Sequence, residues 1–155
     1  MFVSDRAYTR EQILSMESVI LNELKFNVTV PYAMRFSERH VRVLRHTPEF
    51  KELVNFLIEL TLQDYKFLKY TASMVGASAV SLALHLTGQP SWNEELQRDA
   101  QYTEHDIRAC VLDLWHLSAR DNPKYRAVRR KYSASKYHGV ARITIVAPEE
   151  EPVRA

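Results

Sequence analysis

Apolar and polar positions recur at helical spacing along most of the chain, and the plainest block is 60–88, LTLQDYKFLKYTASMVGASAVSLALHLTG. Thr71 offers an N-cap oxygen and Gly88 a C-terminal stop, so the pattern predicts one helix over 72–87. This helix is apolar or small on every side, and a helix with no polar face is a buried one. Ala72, Gly76, Ala77, Ala79 and Ala83 let neighbouring backbones come close, which suits a central pillar ringed by other helices. The run is too short, and too interrupted by Ser73, Ser78, Ser81 and His85, for a membrane span of ~20 apolar residues.

Upstream, Thr9-Arg10-Glu11-Gln12 reads as a capping box that opens a helix running to about Lys25. At about 100° per residue Ile13, Met16, Ile20, Leu21 and Leu24 share one broad face, with Glu11, Ser15, Ser18 and Asn22 opposite. Glu17 falls in the middle of the apolar arc. A second helix is predicted over 32–45, with Met34, Val41 and Leu44 inward and Arg35, Arg39, Arg42 and His46 as a basic stripe. Thr47-Pro48-Glu49 starts a third, which carries Phe50, Leu53, Val54, Phe56, Leu57, Leu60 and Leu62 to about Tyr65.

Beyond the pillar a short helix is expected over 94–101, and Thr103 caps another whose apolar face is Ile107, Cys110, Val111, Leu114 and Leu117. Asn122-Pro123 caps a last one through about Lys131. From Gly139 the chain reads as an extended, frayed tail. The expected fold is therefore all-α, a five-helix domain around a central apolar helix, preceded by one extra helix. It divides into 1–30 (extra helix and linker), 31–138 (domain) and 139–155 (tail).

Composition narrows the functional classes. With 46% apolar and 26% charged residues the chain is an ordinary globule, and its net charge of +2 implies neither nucleic acid nor an anionic membrane. The single Cys110 excludes an internal disulfide framework and fits a reducing compartment, and no basic stretch leads into an apolar run at the N-terminus; the expected address is nucleus and cytoplasm. Only 3 glycines leave little room for phosphate loops. His40, His46, His85, His105, His116 and His138 are scattered, none in an H-E-x-x-H spacing, and there is no G-x-G-x-x-G. No catalytic residue, metal site or cofactor is expected.

Several short segments, taken in order, carry a family likeness. Ser4-Asp5 with Tyr8-Thr9, then Ile13-Leu14-Ser15-Met16-Glu17, then Leu24-Lys25-Phe26-Asn27-Val28 and Pro31, resemble the final helix of the first cyclin box and its linker. The segment 59–70 and the pillar resemble the second and third helices of a second cyclin box. Tyr102-Thr103-Glu104 and the run 131–137, KYSASKY, are similar to the end of B-type and A-type mitotic cyclins. The resemblance covers about 3–138. It implies a regulatory subunit of a cyclin-dependent protein kinase, present here as a fragment without four of the first box's five helices. The family's substrate-recruiting patch, destruction motif and the lysine that partners Glu17 would lie in that missing part. Thr71-Ala72 replaces a frequent proline-containing helix start, and Gly76 stands where alanine is common.

A carboxylate in an apolar arc needs a cation or donor, because an unpaired buried charge costs several kcal/mol. Two partners for Glu17 follow. By residue type alone it pairs with an internal arginine such as Arg35 or Arg39. By the resemblance, Glu17 helps hold the kinase's mobile regulatory helix, and Leu21, Phe26 and Val28 form a pocket for one of that helix's apolar side chains. The first helix also has an apolar face with nothing in this chain to cover it, so residues 9–25 are expected either to pack on a second copy or to be poorly ordered.

The alternative function is a cyclin-fold interaction module of transcription-factor type, gripping phosphates with Arg35, Arg39 and Arg42. A solvated charged face is the simpler explanation of that stripe, and of Arg126, Arg129, Arg130, Lys131 and Lys136, so no nucleic acid is expected as partner.

Overall fold

The computed structural model describes residues 5, 7–44, 46–90, 92–120 and 126–146. Arg45, the Asn122-Pro123 cap and tail residues 147–155 lie outside them. The described residues form helices, turns and extended connections, with no strand among them. The chain separates into two units, Met1–Val30 and Pro31–Ala155. The first contains α1, Arg10–Glu23; the second contains α2 (Ala33–Val43), α3 (Pro48–Thr61), α4 (Ala72–Leu86), α5 (Glu94–Ala100), α6 (Glu104–Ala119) and α7 (Arg126–Tyr132). The all-α expectation holds.

Helix α4 is the hub of the second unit. Ala77, Ala79, Val80, Leu82 and Ala83 are wholly buried, and α2, α3 and α6 pack around it. The small residues have a specific job at Gly76. A Cβ built there would lie 2.8 Å from the Ala33 carbonyl oxygen and 3.1 Å from the Phe36 Cβ, so the α2 backbone crosses α4 where only hydrogen fits. Phe50, Leu53, Phe56, Leu57 and Leu60 of α3 and Ile107, Cys110, Leu114 and Leu117 of α6 complete the core.

The helix starts are fixed as the residue types dictate. The side chains of Thr47, Thr71, Asn93 and Thr103 accept the amides of Phe50, Met74, Leu96 and Asp106 at 3.3, 3.2, 2.9 and 3.3 Å. Each such cap contributes about 1 kcal/mol.

Three local expectations are corrected. Helix α3 stops at Thr61 rather than near Tyr65, and Leu62 points away from the core at 79% exposure. The Asp64 carboxylate takes the Lys66 amide at 2.9 Å, the kind of local bond that competes with a continuing helix, and a 3-10 turn follows over Tyr65–Lys69. That turn is tied to α6 through Asp113, which accepts from Lys66 at 2.6 Å, Lys69 at 3.0 Å and the Tyr70 hydroxyl at 2.7 Å.

Helix α2 buries polar residues that its apolar pattern passed over. His40 meets Asp99 of α5 at 2.6 Å through Nδ1 and sets its ring edge against buried Trp92. Nor does the chain fray at Gly139. Val140 is buried in a 3-10 turn over Val140–Arg142, and the Trp115 indole donates to the Val146 carbonyl at 2.7 Å. The left-handed pair His138 and Gly139, at φ 57° and 65°, turns the chain back onto the domain.

Candidate interaction site on the first unit

Helix α1 opens as its capping box requires: Thr9 accepts the Gln12 amide at 3.3 Å while the Gln12 side chain takes the Thr9 amide at 2.8 Å. Ser18 and Asn22 on the polar side bond back to the Leu14 and Ser18 carbonyls at 3.1 and 2.8 Å. The helix ends at Glu23, two residues before the expected Lys25.

Its exit is unusual. The Phe26 amide donates to the Leu21 carbonyl at 2.8 Å and the Lys25 amide to that of Asn22 at 2.9 Å, the paired bonds of a Schellman cap. The Asn27 amide closes a turn on the Leu24 carbonyl at 2.8 Å, and the two residues inside it, Lys25 and Phe26, have φ of 50° and 55°. The Val28 amide then bonds to the Phe26 carbonyl at 3.0 Å.

This exit gathers three of the four sequence-derived contact residues. Leu21 and Phe26 are joined by the cap bond that spans more residues, whose usual companion is an apolar contact between those two positions. Val28 is bonded directly to Phe26. Leu21 is half-buried, whereas Phe26 is 65% and Val28 58% exposed. Glu17 lies one turn before Leu21 on the same face, and its neighbours at three and four residues are Ile13, Leu14, Ile20 and Leu21, none able to meet a carboxylate. Glu17 makes no ion pair or hydrogen bond among the described residues.

The internal-arginine alternative finds its cations engaged within the second unit. Arg39 Nε bonds Asp99 at 2.6 Å, and Arg35 sits 3.6 Å from Glu38, which also meets Lys51 at 3.3 Å. Asp99 is therefore shared by Arg39 and His40. Burial alone would push its carboxyl up, and the bonds from His40 and Arg39 hold it below the usual carboxylate range. His46 stacks on Phe50 with ring centroids 4.0 Å apart, and burial lowers its pKa. Of Arg35, Arg39 and Arg42, the first two each meet a carboxylate while their side chains stay 69% exposed, and Arg42 keeps no carboxylate among the described residues.

Two of the α7 cations are similarly occupied: Lys131 bonds Glu59 at 2.6 Å, and Arg129 donates to the Ser118 and Arg120 carbonyls while lying over Phe56.

Other candidates fall into packing roles. Cys110 is fully buried, and burial pushes its thiol up to about 11, where it is a poor nucleophile. His85 rests against Trp115 with centroids 4.5 Å apart. The second unit has a mostly apolar groove of about 560 Å³ between the start of α2 and the 3-10 turn, with Leu62 and Leu68 at its rim. Among the described residues there is no cluster of three potential metal ligands and no helix long and apolar enough to cross a membrane.

A hub helix ringed by others, preceded by one further helix, is the architecture of a cyclin-type helical domain. The family profile described as "Cyclin, C-terminal domain" matches residues 31–145, and the chain belongs to the cyclin family. The curated proteins it is similar to include A-type, B-type and G2/mitotic-specific cyclins. It is 38% identical over 151 residues to Cyclin-A2-1 of Oryza sativa subsp. japonica, covering 92% of this chain and 31% of that protein. It is 38% identical over 145 residues to Cyclin-B1-2 of Arabidopsis thaliana, covering 92% and 33%. To the G2/mitotic-specific cyclin S13-7 of Glycine max it is 40% identical over 141 residues, covering 90% and 55%. The chain thus spans between about a third and about half of these relatives' length. The matched domain extends past 138, in keeping with the anchored segment 140–146.

Proposed function

We propose that this chain is a regulatory, activating subunit of a cyclin-dependent protein kinase in the control of cell division, acting in nucleus and cytoplasm, and that it contacts the kinase through Glu17, Leu21, Phe26 and Val28. The observation that carries the reading is the exit of α1. An exposed carboxylate with no partner among the described residues lies one turn before an exit whose backbone bonds link Leu21, Phe26 and Val28, the last two mostly exposed.

The chemistry is binding. A partner helix that places an apolar side chain against Leu21, Phe26 and Val28 removes those groups from water, at about 25 cal/mol per Å² of apolar surface. A donor from the same partner, or from a cyclin segment outside this chain, meets Glu17. If that surface exists only when the kinase's regulatory helix is swung inward, the free energy of docking selects the inward state. In that state the kinase's own Lys–Glu pair forms and positions the ATP phosphates, so phosphoryl transfer remains the kinase's work.

The test is co-purification of the full-length protein with candidate cyclin-dependent kinases, comparing wild type with Glu17→Ala and Phe26→Ala. Both substitutions are expected to reduce binding and activation. Unchanged binding and activation in both would refute this assignment of the surface.

The apolar arc of α1, with Ile13, Met16 and Ile20 at 41%, 58% and 49% exposure, also fits self-association of this chain through residues 9–25. Sedimentation is expected to show a dimer that Ile20→Asp disperses; a monomer at high concentration with α1 still helical would dispose of the idea.

A further inference from the structure

Of the 6 prolines, only Pro48 follows a serine or threonine, so Thr47-Pro48 is the chain's one Ser/Thr-Pro pair. Both residues are exposed where α2 gives way to α3. Thr47 is extended, at φ −67° and ψ 158°, a conformation in which a protein kinase can take its acceptor residue. Its hydroxyl oxygen accepts the Phe50 amide at 3.3 Å, and among the described residues the hydroxyl hydrogen meets no acceptor. The group therefore keeps a lone pair to attack with and a proton to give up. Freeing Thr47 breaks two bonds, both long: the Phe50 amide to its hydroxyl at 3.3 Å and the Lys51 amide to its carbonyl at 3.2 Å.

We infer that Thr47 is a phosphoacceptor for a proline-directed Ser/Thr protein kinase, with MgATP as the phosphoryl donor. A kinase pocket for the residue after the acceptor takes Pro48 because proline leaves no amide hydrogen unpaired there. The Thr47 oxygen bonds to the γ-phosphorus as the bond from that phosphorus to the β–γ bridging oxygen breaks. ADP departs, and the hydroxyl proton passes to the kinase's catalytic aspartate. The product suits its place in the fold. Phosphothreonine keeps an oxygen at the cap and adds about −1.5 to −2 charge where the dipole of α3 favours an anion. Thr47 also borders a shallow concavity of about 210 Å³ lined by exposed Gln89, whose side-chain amide has no partner among the described residues and can donate to the added oxygens. Glu49 in the first turn opposes the new charge, so the net gain is local and small. The donor kinase need only accept proline after the acceptor, so the site stands apart from the kinase-contact reading.

The full 155-residue chain is incubated with a purified proline-directed kinase and MgATP as wild type, Thr47→Ser, Thr47→Ala and Pro48→Ala, and the products are mapped by tandem mass spectrometry. A synthetic peptide of residues 42–53 is run beside them. Wild type is expected to take one phosphoryl group, on Thr47, at a rate within about tenfold of the peptide's, since freeing a helix cap costs about 1 kcal/mol. Thr47→Ser keeps both cap and nucleophile and is expected to be modified like wild type, and Thr47→Ala is expected to take none. Pro48→Ala should be modified about tenfold more slowly, the usual worth of a lost apolar pocket contact. Amide exchange at Phe50 should slow about two- to fivefold in the phosphorylated chain, as an anion at a helix N-terminus dictates. A modified peptide beside an unmodified folded chain overturns the site, as does a phosphoryl group on any other residue or on neither substrate. Equal rates for Pro48→Ala and wild type overturn the proline-directed class, and faster Phe50 exchange after phosphorylation overturns the cap.

Discussion

Helix α4 and the exit of α1 answer opposite demands. Around α4 most groups find their partners inside the unit: the threonine and asparagine caps are filled, Asp99 gathers two cations or donors and Asp113 three, and the core side chains are buried. At the exit of α1 the carboxylate of Glu17 has no partner among the described residues, Phe26 and Val28 face solvent, and two residues occupy a backbone conformation they disfavour. The first pattern is that of a scaffold. The second is the pattern that the proposed contact surface calls for. Stability and function should therefore separate by region, and substitutions can expose the division.

The largest stability effect is expected at Gly76. Alanine favours a helix over glycine by about 1 kcal/mol, yet its methyl would sit 2.8 Å from the Ala33 oxygen. Gly76→Ala should destabilise the second unit by about 1–3 kcal/mol in urea unfolding, the cost of forcing two packed helices apart. A stabilised variant would show that α2 does not cross there.

A smaller effect is expected from Asp113. Burial alone would raise its carboxyl, but Lys66, Tyr70 and Lys69 hold it down to about 2. A carboxyl lowered from 3.8 contributes stability that is full above pH about 5 and is lost as pH falls through about 2. The contribution is at most about 2 kcal/mol. Asp113→Asn should remove that part of the acid dependence in unfolding curves recorded between pH 5 and 2, and an identical acid profile in the variant would contradict the tie.

The smallest effect on stability is expected at the exit of α1, where exposed side chains are worth less than about 0.5 kcal/mol to the fold.

What the sequence made legible follows the same division. Thr9, Thr71 and Thr103 announced helix starts because a hydroxyl and a helical apolar face are both local signals. The apolar period of α6 identified Ile107, Cys110, Leu114 and Leu117 as core for the same reason. Long-range pairings were invisible: nothing in the α2 pattern shows that His40 will be buried against Asp99, fifty-nine residues on. The early stop of α3 depends on one Asp64 side chain competing for an amide, and the anchoring of residues 140–146 depends on Trp115 finding a carbonyl thirty-one residues away.

At the candidate site, residue type singled out Glu17, and the family resemblance supplied Leu21, Phe26 and Val28. The left-handed turn that gathers the latter three had no signal, because Lys-Phe is not a turn pair. The glycine at 76 was read as one small residue among several, whereas it is the point of closest helix approach.

The most direct test of the division is one paired measurement on Phe26→Ala: the dissociation constant for a purified cyclin-dependent kinase and the urea midpoint of the same preparation. The account predicts weaker binding by roughly 30- to 150-fold, the equivalent of about 2–3 kcal/mol from one buried aromatic, with an unchanged midpoint. Unaltered binding, or a loss of stability large enough to explain weaker binding, would contradict it.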